Sequence, residues 1–244
     1  MRGLNLLCLA LATGVASAQS LVELRPAKFL LSDSGTLVLN TLPQASWMFV
    51  RGDGTQANFD EVPNRLSIAQ EGLIAVGADF KPRTRPLDGA LMQSLGITQT
   101  GQWNVIEYAS ACALVRKGSG PPTSSAVATA RNGLRFEIKP QMDPTCVPAG
   151  SDVAFKIYLD GEPLAGVTVK LAPLGVPQEV IGGSKAQARR FIEDPKWWVS
   201  KSTDASGYVI FTMPKEGQWR VQVAVLKGDR LYSSTLTFQN GAAK

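Results

Sequence analysis

Val153-Ala154-Phe155-Lys156-Ile157-Tyr158-Leu159 sets an apolar side chain at every second position and Ala154, Lys156 and Tyr158 between them. Successive side chains of a strand point to opposite faces, so this stretch buries one face and wets the other. The same rhythm continues on both sides. Leu134, Phe136 and Ile138 alternate with Arg135, Glu137 and Lys139, and Trp219, Val221, Val223 and Val225 alternate with Arg220, Gln222 and Ala224. Residues 167–171, 208–213 and 231–238 add runs rich in β-branched and aromatic residues. Turn formers separate them: 140–150, Asp160-Gly161-Glu162-Pro163, Asp204-Ala205-Ser206-Gly207, 214–218 and Lys227-Gly228-Asp229-Arg230. Roughly six strands with one apolar face each can bury that face only against a second sheet, which predicts an antiparallel β-sandwich. No apolar set recurs at the three-and-four spacing of an amphipathic helix.

Upstream, residues 21–24, 29–31, 36–42, 47–50, 73–76 and 103–115 read as further strands, and 87–95 as a short helix introduced by Asp88. Residues 117–125 lack apolar side chains and are rich in turn formers, the composition of a domain boundary. The predicted fold class is all-β: two antiparallel β-sandwich domains, 19–120 and 131–244, with a single long sandwich as the alternative.

The first 18 residues read as a targeting segment. Arg2 precedes an apolar run over 4–15, and Ala16-Ser17-Ala18 ends it in an A-x-A cleavage pattern, leaving Gln19 as the expected mature N-terminus. The run is shorter than the roughly 20 residues of a membrane span, so no transmembrane segment is expected after cleavage. A periplasmic or secreted chain follows. Cleavage removes only Arg2 from the 25 Lys+Arg, leaving 24 against 20 Asp+Glu. That mild excess is spread along the chain, as on a solvated surface, and predicts no nucleic-acid partner.

Histidine is absent from all 244 residues. Its absence removes the usual general base, the Ser–His and Cys–His pairs, and the commonest ligand for zinc, nickel and copper. Neither a cofactor nor a metal site is expected, and no G-x-S-x-G elbow, Gly-rich phosphate cradle or paired-carboxylate signature occurs. After cleavage two cysteines remain, Cys112 and Cys146. In an oxidising compartment they form a disulfide candidate, closing about 35 residues and contributing roughly 3–4 kcal/mol. They read equally as two buried free thiols, because Cys112 shares a strand face with Ile106, Tyr108 and Leu114.

The long connection 172–200 is the foremost binding candidate. It carries Lys185, Arg189, Arg190 and Lys196 beside Trp197 and Trp198, a composition suited to a sugar, a peptide or an acidic group. Gly182-Gly183 is a candidate hinge, and Ser184 a candidate cap for a helix over 185–192. The plainer alternative puts one Trp in the sandwich core and its neighbour over the edge. Asp53, Asp60 and Glu61 bracket a Gly-rich turn whose spacing does not match a calcium loop, so it reads as a solvated hairpin. Lys81-Pro82-Arg83-Thr84-Arg85-Pro86 reads as an extended, exposed basic linker.

The order of the C-terminal pieces carries a resemblance. Gly133-Leu134-Arg135-Phe136-Glu137-Ile138-Lys139-Pro140, Asp143-Pro144, Pro148-Ala149-Gly150, Asp160-Gly161-Glu162-Pro163-Leu164-Ala165-Gly166-Val167, Thr203-Asp204-Ala205-Ser206-Gly207 and Phe211 to Trp219 follow one another. This resembles a bacterial periplasmic family filed as a domain of unknown function, some of whose members, the NikM-like proteins, sit beside nickel and cobalt uptake transporters. The resemblance covers most of 19–238 and is specific from Gly133 onward. It implies an Ig-like or transthyretin-like C-terminal sandwich, since the D-G-x-P-L-x-G and T-D-x-x-G signatures recur in such modules. Family members usually keep histidines that would handle metal. This chain has none, which weakens a nickel or cobalt role here.

The functional expectation is therefore an exported, non-enzymatic binding or accessory protein, presenting sandwich-end loops to an unknown ligand or cell-envelope protein. A periplasmic accessory of a transition-metal uptake system is the alternative. A wall-polymer hydrolase built on Asp60 and Glu61 is disfavoured, because adjacent strand residues point to opposite faces.

Overall fold

The computed structural model describes residues 29–31, 37–40, 44–52, 55–62, 65–69, 71–87, 103–117, 125–174 and 199–241. The strands expected at 21–24 and the helix expected over 87–95, apart from Leu87 itself, lie outside that set.

Strands dominate. In the first half they are β1 (Phe29–Leu31), β2 (Leu37–Asn40), β3 (Ala45–Gly52), β4 (Thr55–Phe59), β5 (Arg65–Ile68), β6 (Gly72–Phe80), β7 (Arg83–Leu87) and β8 (Trp103–Lys117). A single helical turn, α1 (Ser125–Thr129), leads into the second half. There follow β9 (Phe136–Pro140), a 3-10 turn (Pro144–Cys146), β10 (Asp152–Leu159), β11 (Glu162–Pro163), β12 (Thr168–Pro173), β13 (Val199–Ser202), β14 (Tyr208–Thr212), β15 (Gly217–Lys227) and β16 (Arg230–Asn240).

These strands form three sheets. A central sheet runs β13-β12-β15-β16-β8-β6-β3-β4, with β7 also on β8. A front sheet holds β9, β10, β11 and β14, and a back sheet holds β1, β2 and β5. Strands from both halves of the chain thus share the central sheet. Their junction is a parallel pair, Ile106 opposite Arg230 through Leu114 opposite Phe238; the other pairings among the described strands are antiparallel.

The period-two pattern explains the layering. On β3, Phe49 faces the front sheet and its neighbour Met48 the opposite side, where Ile74, Val76 and Ile68 of β5 pack. Between the central and front sheets lie Trp219, Phe136, Phe155, Phe211 and Phe238, all fully buried. Each such side chain contributes about 1.5–3 kcal/mol on leaving water, and a one-residue register slip would expose the whole set. The all-β class and the sandwich packing agree with the alternation, the two sandwiches leaning on opposite faces of one sheet. Gly77 marks the tightest point, where a Cβ would run into the Phe49 ring. Asp160 and Gly161, with φ of 50° and 91°, make the β10–β11 hairpin turn, a conformation that favours an Asp-Gly pair.

One expectation changes. The basic stretch around Arg83 is strand β7 rather than an exposed linker, and Arg85 is buried against Glu107 on β8. The ion pair removes the reason for solvation that composition alone suggests.

Candidate functional site

The outward face of the front sheet gathers aromatic rings and cations. Because Phe155, Ile157 and Leu159 point inward, Lys156 and Tyr158 point outward, and strand pairing decides what they meet. Lys156 is the cross-strand partner of Tyr208 on β14 and of Lys139 on β9. Its ammonium lies 4.6 Å from the Tyr208 ring centroid and 5.4 Å from that of Tyr158. The Arg131 guanidinium, from the link between α1 and β9, sits 3.9 Å over the same Tyr158 ring. One row further, Ile210 is 50% exposed opposite Ala154, and Lys201 donates from β13 to the Ile210 carbonyl oxygen at 2.7 Å. Tyrosine, arginine and an uncovered apolar side chain are the composition of binding hot spots.

Glu137, the cross-strand partner of Tyr158, is the carboxylate paired with Arg131 and is almost fully buried. Arg131 Nε donates to it at 2.6 Å and the Asn132 backbone N–H at 2.8 Å. Arg51, at the end of β3, donates to the Arg131 carbonyl oxygen at 2.8 Å and to the Gln56 side-chain oxygen. Lys139 is held below the usual lysine range by burial first; Glu137 opposes that shift, and repulsion from Arg131, Lys156 and Arg51 adds to it. Beside Arg51 an open cleft of about 240 Å³ is lined by Gly52, Thr55, Gln56, Ala126, Val127 and Ala130.

Trp197, Trp198, Arg189, Arg190 and Lys196 lie outside the described residues. The disulfide candidate is corrected: Cys112 and Cys146 are both free. Cys112 is packed into the core between the central and front sheets, and burial, with Glu137 second, pushes its thiol up. Cys146 is exposed on the 3-10 turn, its Sγ 3.7 Å from Asp143 Oδ2. Among the described residues no group of three or more His, Cys, Asp and Glu side chains is gathered as for a metal ion, and no helix is long and apolar enough to cross a membrane. Of the face residues, Lys139, Lys156 and Tyr158 were readable as outward positions of alternating strands. Arg51, Arg131 and Tyr208 join them only through pairing between distant segments.

Residues 48–226 match the family described as a domain of unknown function (DUF4198), and the chain belongs to that family. Every residue of the face described above falls inside that range. No curated protein matches the sequence. Among solved structures, the chain is similar to the D0-D1 domain of intimin at 13% identity, covering 84% of this chain and 89% of that one, with a TM-score of 0.24. It is also similar to Escherichia coli alpha-2-macroglobulin activated by porcine elastase, at 14% identity over 81% of this chain, with a TM-score of 0.25. Salmonella alpha-2-macroglobulin reacted with methylamine is 12% identical over 85% of this chain, again at 0.25. The chain spans only 18% and 15% of those two proteins. Scores this low carry no inference about function.

Proposed function

We propose that this chain is an exported, non-enzymatic binding or accessory protein of the cell envelope, and that it binds through the outward face of the front sheet. Export rests on the Arg2, 4–15 and Ala16-Ser17-Ala18 pattern, with the mature chain starting at Gln19. The observation that carries the binding role is the row of Tyr158, Lys156 and Tyr208 with half-exposed Ile210 beside it. A partner that covers this row would remove the apolar area of Ile210 and the two tyrosine rings from solvent. The insertion 172–200, with Trp197, Trp198, Arg189, Arg190 and Lys196, runs from the last residues of β12 to the first of β13 and is a second contact segment in this reading. A non-enzymatic role is supported by the lack of histidine and by the employment of Glu107, Glu137 and Asp143, each already engaged by arginine.

The resemblance to NikM-like proteins suggests a metal-uptake accessory as the alternative. In a histidine-free chain its donors would be carboxylates, the mature amine and two thiols, one of which is locked in the core. Calorimetry with nickel and cobalt decides it: no heat at millimolar metal ends that alternative.

The binding role is tested by crosslinking the processed protein in intact cells and comparing it with the folded Tyr158→Ala/Tyr208→Ala variant. Loss of a specific adduct in that variant is the expected result. An unchanged adduct pattern, or a chain that keeps residues 1–18 and stays in the cytoplasm, overturns the proposal.

A further inference from the structure

We propose that the cations gathered at the β9 edge of this face, Arg51, Arg131, Lys139 and Lys156, form a phosphate-binding site. The inference deepens the binding role above and rests on it.

Lys139 and Lys156 are directly opposite each other on antiparallel strands. Like charges in that position repel and destabilise the pair. Arg131 and Arg51 add to the field at Lys139, and Glu137 is the carboxylate set against these four cations. Glu137 is already committed to Arg131 and to the Asn132 N–H. Arg51 spends Nη2 on a backbone carbonyl and a glutamine side chain, and its buried Nε has no hydrogen-bond partner. The cluster therefore holds more positive charge than Glu137 alone compensates.

A phosphate monoester fits that imbalance better than a single carboxylate does. It carries about −1.5 to −2 charge near neutrality and three strong acceptor oxygens, and it is bound well by arginine and lysine donors. Of the four cations only Arg51 lines the adjoining cleft of about 240 Å³, which has Thr55 and Gln56 on its wall, is smaller than the roughly 300–1,000 Å³ of drug-sized pockets and leaves room for the group that carries the phosphate. Tyr158 and Tyr208 supply a flat apolar border for whatever carries the phosphate.

The test is calorimetry of the mature chain with inorganic phosphate and with glucose 6-phosphate, alongside sedimentation with phosphatidic acid/phosphatidylcholine vesicles, whose lipid presents a phosphate monoester. Binding in at least one arm is expected, weakening as sodium chloride is added, and the arm that binds identifies the source of the phosphate. Arg51→Ala should weaken it about ten- to a hundredfold. Because Arg51 also ties β3 to the Arg131 carbonyl, Lys139→Gln/Lys156→Gln is the second variant; it should lose binding while melting no lower than the parent. No binding in any arm by folded protein at millimolar ligand, or undiminished binding by the double lysine variant, overturns the site. Partner adducts without phosphate binding sink this inference alone. Phosphate binding without partner adducts sinks only the broader role.

Discussion

Two glutamates, Glu107 on β8 and Glu137 on β9, are almost equally buried, yet they sit in opposite electrostatic situations. Glu107 lies on the central sheet beside the parallel junction. It accepts from Arg83 Nε at 2.7 Å, Arg85 Nη1 at 3.3 Å and Ser233 Oγ at 3.0 Å. Those donors come from β7 and β16, so the carboxylate ties three strands from both halves of the chain together. Glu137 has one arginine, and that arginine is 36% exposed and lies over a tyrosine ring facing solvent. The first arrangement is closed and serves the fold. The second leaves cations and rings at the surface, where a ligand can complete it. Burial of a carboxylate therefore says little about role until its partners are followed outward.

The largest effect should come from Glu107→Ala. Removing one partner of a buried ion pair costs about 3–5 kcal/mol, and Arg85 here is only 3% exposed. Urea unfolding should show the midpoint falling sharply, with no change in ligand binding by whatever protein remains folded. A loss below about 1 kcal/mol, the range of surface pairs, would mean that Glu107 is no keystone.

How much of this contrast a reader of the sequence can reach depends on distance along the chain. The outward positions Lys139, Lys156 and Tyr158 follow from strict alternation within two strands, because side-chain direction is a local property. The facing of Lys156 by Tyr208 needs the register of β14, about 50 residues away by chain. Arg85 reads as solvated because its own neighbours are prolines and charges; its partner Glu107 lies 22 residues on. The parallel β8–β16 junction joins segments more than a hundred residues apart, and no local pattern encodes such a pairing. β4 is a run of Thr55, Gln56, Ala57, Asn58 and Phe59, mostly exposed, with no apolar rhythm to announce it.

Glu137→Gln should cost less, about 1–2 kcal/mol. The amide oxygen can still accept from the Asn132 N–H, and the partly exposed Arg131 can turn to water. Denaturant midpoints compared with those of the Glu107 variant provide the check; equal losses would erase the distinction between the two sites. In the phosphate titration this variant should bind more tightly than the parent, since one competing negative charge is gone.

Asp79 sharpens the contrast with the smallest expected effect, because it is a carboxylate at the junction of the halves held mainly by neutral donors. Ser110 Oγ donates to it at 2.5 Å and the Arg135 backbone N–H at 3.2 Å. Burial raises its pKa above the usual 3.8, against the lowering effects of those donors and of the Arg135 charge, while Asp160 raises it further. A raised folded-state value means that Asp79 contributes its full stability below 3.8 and loses it as pH climbs through the raised value. At pH 7 the charged form is thus a burden, and Asp79→Asn, which keeps an acceptor for both donors, should melt slightly higher than the parent. As the pH is lowered toward 4 the parent takes up its proton and the two melting curves should converge. A gap that stays constant across that range would place the effect in packing rather than in charge, and would leave arginine count as a poor guide to what these buried carboxylates do.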